Sequence, residues 1–158
     1  MTGFARRGFE KMIKRAYGHA YVSTAGGAAF PGTTAWRDLP GTFSAGELLC
    51  FTHSAGVLTY TGPGEVVLVS AGGSMACGAT VANGSLGISV NDGNPAAGCY
   101  IDYVYWYINQ YRYYGVPPCI PIEVANGDTL QVKARDNGGG SDVLNIQVGT
   151  SLTVIGLG

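Results

Sequence analysis

Residues 122–158 read IEVANGDTLQVKARDNGGGSDVLNIQVGTSLTVIGLG, and the punctuation of this stretch decides the fold class. A short apolar run, Ile122 to Val124, is followed by Asn126-Gly127. Leu130, Val132 and Ala134 then alternate with Gln131, Lys133 and Arg135. After the glycine-rich Asn137–Gly140, the alternation resumes as Leu144, Ile146 and Val148 against Asn145 and Gln147, and a last apolar run covers Leu152 to Leu157. A period of two means side chains pointing to opposite faces, one buried and one wet. Asn-Gly favours positive φ and suits tight hairpins.

The same grammar extends backwards. Apolar runs stand at Leu48–Phe51, Val57–Tyr60, Val66–Ala71, Leu86–Val90, Tyr100–Ile108 and Ile120–Val124. Thr61-Gly62-Pro63-Gly64, Asn83-Gly84 and Asn91-Asp92-Gly93 read as the turns between them. About nine short strands at this spacing predict an all-β antiparallel sandwich or barrel. Only 12% of the 158 residues are charged, roughly half the usual fraction. That composition fits β structure with much of its surface buried, part of it between subunits. The 26 glycines follow no fixed period, which excludes a collagen repeat.

Charge is unevenly placed. Residues 1–30 hold five cations against Glu10, a net +4, and the remainder holds four cations against nine acids, a net −5. Residues 4–17 read as a short basic helix. Phe9, Met12, Ile13, Ala16 and Tyr17 share one face, while Arg7, Lys11, Lys14 and Arg15 lie off it. Such a segment is marginal alone and becomes ordered against something else. Residues 18–34 read as a flexible linker of small residues. The expected division is an arm and linker over 1–34 and a β domain over 35–158.

No apolar core of secretion-signal length follows the basic start, and no run is long enough to span a bilayer, which points to synthesis in a cytoplasm. Cys50, Cys77, Cys99 and Cys119 lack the close pairing of zinc ligands and read as free thiols.

The C-terminal stretch quoted above resembles the last strands of the tumour-necrosis-factor-like jelly roll. GVLTYTGPGEVVLVSAGGSMA (56–76) resembles its paired early strands, and SLGISVNDG (85–93) its middle strand and turn. The likeness runs from about Trp36 to Gly158. It implies a TNF-like antiparallel jelly-roll sandwich packed as a trimer along a threefold axis. Complement-type globular heads, spore-surface glycoproteins and bacteriophage virion proteins share this superfamily. The sequence offers no anchor and no collagen stalk, which favours the phage branch.

No catalytic motif stands out: there is no G-x-S-x-G, H-E-x-x-H or P-loop, and His19 and His53 stand alone. The acids Asp92, Asp128, Asp136 and Asp142 read as turn formers and strand-end caps. Neither an enzyme nor a metal or cofactor is expected. The segment CYIDYVYWYINQYRYYG (99–115) places Tyr103, Tyr105, Tyr107, Tyr111 and Tyr113 on one parity. If continuous, it forms a tyrosine ladder suited to a wet interface. Trimer packing, a neighbouring virion protein and a host surface glycan are all open as its partner.

The function expected from these features is that of a bacteriophage virion structural protein, a trimeric capsid decoration (cement) protein on the capsid exterior. Phe4, Arg6, Arg7, Phe9, Lys11, Met12, Ile13, Lys14 and Arg15 would anchor it to the major capsid protein or another virion protein. Nucleic acid is disfavoured because no DNA-binding motif follows the basic segment, and membrane contact is not expected. The rival is a head-fibre or tail-fibre receptor-binding tip whose tyrosines meet host glycans. The arm reading predicts that a chain without residues 1–17 still trimerises but no longer joins the particle.

Overall fold

The structure is a computed structural model that describes residues 15–31, 35–77, 82–106, 112–116, 121–137 and 141–157. Fourteen strands, and no helix, are found among them. They are β1 (Tyr17–Thr24), β2 (Gly26–Pro31), β3 (Arg37–Asp38), β4 (Thr42–Leu49), β5 (Phe51–Ser54), β6 (Val57–Tyr60) and β7 (Glu65–Cys77). The chain continues through β8 (Ala82–Val90), β9 (Tyr100–Trp106), β10 (Arg112–Val116), β11 (Ile122–Val124), β12 (Thr129–Asp136), β13 (Ser141–Ile146) and β14 (Ser151–Gly156).

They form two sheets. Sheet A runs β2-β13-β7-β14-β1-β4, with β10 and β11 on the other flank of β7. Sheet B runs β5-β6-β12-β8-β9, with β3 on β12. Every pairing is antiparallel. The 13-residue β7 is the spine of sheet A: β14 and β13 pair along one edge, β11 and β10 along the other.

The core lies between the sheets. Val22, Val67, Val69, Leu144, Leu152 and Val154 of sheet A meet Leu58, Leu86, Ile88, Leu130 and Val132 of sheet B, all buried. Each such side chain contributes about 1.5–3 kcal/mol relative to exposure, and their alternation along each strand locks the register.

The amino-terminal third departs from its reading. Of the expected helix over 4–17, residues 4–14 lie outside the described residues, and Tyr17 opens β1. The expected linker over 18–34 contains β1 and β2, so the β domain begins before residue 35. β1 sits inside sheet A between β14 and β4. Its small side chains are a packing requirement: Ala16, Gly18 and Ala20 face the core. A Cβ on Gly18 would stand 3.0 Å from the Phe51 ring and 3.1 Å from Leu58 Cδ1.

Other corrections are local. Asn83-Gly84 does not turn; it lies within β8 beside a register shift between Gly84 and Leu86. The four acids stand where the reading put them: Asp92 and Asp128 in turns, Asp136 as the last residue of β12 and Asp142 as the second of β13. Asn91 and Asp92 both take positive φ, 51° and 57°, as a tight turn needs. Cys50 and Cys99 are free thiols; Cys119 lies outside the described residues.

Candidate functional site: the outer face of sheet A

Alternation along β1 sends Ala16, Gly18, Ala20 and Val22 inward and Tyr17, His19, Tyr21 and Ser23 outward. Strand register extends these outward residues into rows across sheet A. Leu49, Tyr17, Ile155 and Leu68 form one row; His19, Thr153 and Ser70 form the next. Ser44, Tyr21, Ser151, Gly72 and Gly115 form a third. No carboxylate, ammonium or guanidinium stands in these rows. Ile155 is 47% exposed and Leu49 is also exposed. His19 and Tyr21 pack their rings at 5.5 Å between centroids, and Gly46 leaves room for the imidazole, since a Cβ there would lie 2.5 Å from Nδ1.

Tyr113 closes one side of this face. It is 75% exposed and leans over Gly72, where a Cβ would stand 2.5 Å from its hydroxyl. Beneath it is a shallow groove of about 370 Å³ carrying the Ser70, Ser151 and Thr153 side chains.

The expected tyrosine ladder is divided by the fold. Tyr103 and Tyr105 lie on β9 in sheet B, Tyr113 on β10 in sheet A, and Tyr107 and Tyr111 outside the described residues. The reason is topological: β9 pairs with β8 and β10 with β7, so the chain crosses between sheets within the segment. The expected anchoring residues Phe4, Arg6, Arg7, Phe9, Lys11, Met12, Ile13 and Lys14 lie outside the described residues, and Arg15 is exposed just before β1. Sequence reading missed Tyr17, His19 and Tyr21, although YGHAYVST carries the period-two signal.

Over β8 and β12 the outer face of sheet B is covered by the chain itself. Ser85 and Ser89 are buried, as are Gln131 and Lys133. Lys133 Nζ donates to the Asp92 carboxylate and to the Asp92 carbonyl at 3.0 Å, and lies 3.7 Å from Asp38 on β3. The Lys133 hydrogen bond is the main cause holding the Asp92 carboxyl below its ordinary pKa. Arg135 stacks over Trp36 at 4.7 Å, and Trp36 meets Tyr100 edge-on at 5.7 Å. Pro95 lies over Gly87, where a Cβ would approach its ring to 2.7 Å.

No family model and no curated protein sequence matches the chain. Among solved structures, murine APRIL at pH 5.0 superposes with a TM-score of 0.56 at 10% identity, over 91% of this chain and 100% of that one. Eiger TNF from S. frugiperda gives 0.55 at 13% identity, over 91% and 92%. The domain is a TNF-like jelly roll. At these identities the likeness fixes the jelly roll's fold alone. Among the described residues the jelly roll groups no three His, Cys, Asp or Glu side chains suited to a metal ion, and no helix is long and apolar enough to cross a membrane. Its most distinctive surface is the aromatic-rich patch on the outer face of sheet A whose three rows carry no charge.

Proposed function

We propose that this jelly roll is a non-enzymatic structural protein that self-associates as a trimer through the outer face of sheet A and decorates the exterior of a phage capsid. The observation that carries the assembly reading is the row Leu49–Tyr17–Ile155–Leu68 with its neighbours: apolar and aromatic, without charge, and partly open to water. Contiguous surface of this kind marks interaction sites, and closed cyclic assembly is a common way to bury it. The fold likeness to APRIL and Eiger TNF supports a binding protein rather than a catalyst.

The placement on a capsid is supported by the unequal charge, +4 in residues 1–30 against −5 elsewhere, which suits a basic anchoring arm on an acidic head. The arm ends earlier than the sequence reading assumed. Ala16 accepts a hydrogen bond from Gly156 N at 2.7 Å, and Tyr17 pairs with Ile155 and Leu49, so a deletion that tests the arm stops at residue 14. The chain without residues 1–14 should sediment as three copies and fail to bind arm-dependent capsids. A monomer at micromolar concentration overturns the assembly reading, and retained decoration overturns the anchor.

A second reading, a receptor-binding tip, is favoured by the hydroxyl-lined groove under Tyr113. Exposed aromatic area beside hydroxyls suits a sugar ring. Glycan-array binding lost on Tyr113→Ala would replace trimer packing by host attachment as the role of this part of the face, because Ser70, Ser151 and Thr153 of the groove stand in the rows assigned to the trimer.

A further inference from the structure

The three rows of sheet A that self-association would cover hold one imidazole, His19, and it stands in the middle row. Tyr17 and Ile155 lie in the row on one side, Tyr21 and Ser151 in the row on the other, and Thr153 and Ser70 continue its own row. The ring packs against Tyr21 at 5.5 Å between centroids. Its other contact is bare backbone at Gly46, where a Cβ would lie 2.5 Å from Nδ1. His19 is already half-buried within one chain, and it makes no hydrogen bond to another described residue.

The groups around the imidazole do not offset a positive charge. On its own strand the titratable neighbours are Tyr17 and Tyr21, and Arg15, exposed four residues earlier, adds a fixed cation. On β14 and β7 its row offers only the hydroxyls of Thr153 and Ser70. On β4 the register shift between Gly18 and Ala20 sets Gly46 and Glu47 opposite it. Glu47 is exposed to water and forms no ion pair with it among the described residues. Glu123 stands farther off, on β11 beyond β7. A neutral imidazole brings one donor and one acceptor, which hydroxyls of a neighbouring copy can complete. An imidazolium brings a charge that loses its water when the face is covered, and desolvation disfavours the charged form. Imidazole is also the side chain that ordinarily takes up its proton between pH 8 and pH 5.

We propose that His19 makes the self-association acid-sensitive: the face closes on other copies while the imidazoles are neutral and opens when they are protonated. The switch rests on the assembly reading above and adds its regulation. Its sign follows from the geometry. A group held neutral in the assembly supports association above the ordinary imidazole range, near pH ~6.5, and opposes it increasingly as pH falls below that range.

Dilution series of the full-length protein, followed by sedimentation velocity with fluorescence detection, test the switch. One proton per chain is taken up as a trimer separates. Between about pH 8 and about pH 5.5 the association constant should therefore fall about 1,000-fold, and the concentration of half-dissociation should rise about 30-fold. Circular dichroism should show the same β signal at both values; its loss in acid would assign the separation to unfolding and end the proposal. His19→Gln keeps a polar amide but cannot titrate, so its half-dissociation concentration should stay within about two-fold across the same range. His19→Asn serves the same purpose should the longer amide disturb folding. His19→Lys fixes the charge and should give separated chains even at about pH 8. His53→Gln, on the β5–β6 hairpin, should leave the native shift in place. A native association constant that does not move with pH, or one that moves equally in His19→Gln, overturns the switch and leaves the trimer standing. Single chains of the native protein at about pH 8 and micromolar concentration overturn the assembly reading itself, and the switch with it.

Discussion

The two sheets of this jelly roll differ in how they treat the face turned away from the core. Over β8 and β12, sheet B is covered by its own chain: Trp36 and the segment around Pro95 lie against its outer face, β3 extends it beside β12, and Gln131 and Lys133 pair with Asp92. Sheet A has no such cover over Tyr17, His19, Tyr21, Leu68 and Ile155 among the described residues. Sheet B can afford lysine and glutamine on its outer face because each finds a partner, Lys133 with a side chain only 8% exposed. The three rows of sheet A carry no charge, as the proposed self-association requires; the exposed Glu47 of β4 and Glu123 of β11 stand outside them. The closed face needs no other molecule, and the open face is the one that the proposed self-association would cover.

The contrast breaks most easily at Ile155. Ile155→Asp places a carboxylate in the open face, and self-association should weaken at least about 100-fold. Sedimentation velocity should register a shift towards one chain, while the thermal midpoint of the separated chain stays put. If association is unchanged, the open face is not the interface. Trp36→Ala should do the reverse. It uncovers sheet B and should cost about 2 kcal/mol in denaturant unfolding of the chain, with the number of associated chains unaltered.

Acid offers a third, smaller probe. Burial pushes the His53 imidazole below its ordinary pKa, and its neutral Nε2 accepts the Gly56 N–H at 3.1 Å. A lowered folded pKa favours the neutral form, so this contribution is present above pH ~6.5 and is lost as pH falls through the folded value. Asp128 and Asp92, also depressed, hold their contributions until pH falls below the usual carboxylate range. Native-state hydrogen exchange should therefore show the β5–β6 hairpin loosening in mild acid before the Asn91–Asp128 corner does. His53→Gln should remove the earlier step. The smallest change is expected from Lys133→Met. Asp92 is exposed and re-hydrates when its partner goes, so the unfolding midpoint should move little; a large drop would mean that the polar layer, rather than the aromatic cover, holds sheet B closed.

Much of the sandwich was legible. The run Val57–Tyr60 is β6 to the residue, and Leu130–Ala134 and Leu152–Leu157 fall on β12 and β14. Asn91-Asp92-Gly93 and Asn126-Gly127 turn as their residue types require, with Gly127 at φ 95°. Each of these segments alternates large apolar with polar side chains, so local pattern and tertiary demand agree. β1 and β2 were read as a linker because GHAYVSTAGG is made of small residues, which is how flexible segments look. In β1 the small residues face a crowded core, and the ring of Phe51 across from Gly18 is far away in sequence.

The sequence by itself determined the period-two strands, the positions of most turns and the division of charge between a basic start and an acidic remainder, because these depend on neighbours along the chain. Only the tertiary structure decided that Tyr17, His19 and Tyr21 stand beside Ile155 and Leu68 on an open face, and that the tyrosines after Cys99 are shared between two sheets. Those juxtapositions arise from strand order. Strand order is set by how the apolar faces of distant segments close on one another, a condition on the folded whole that no local window of the chain contains.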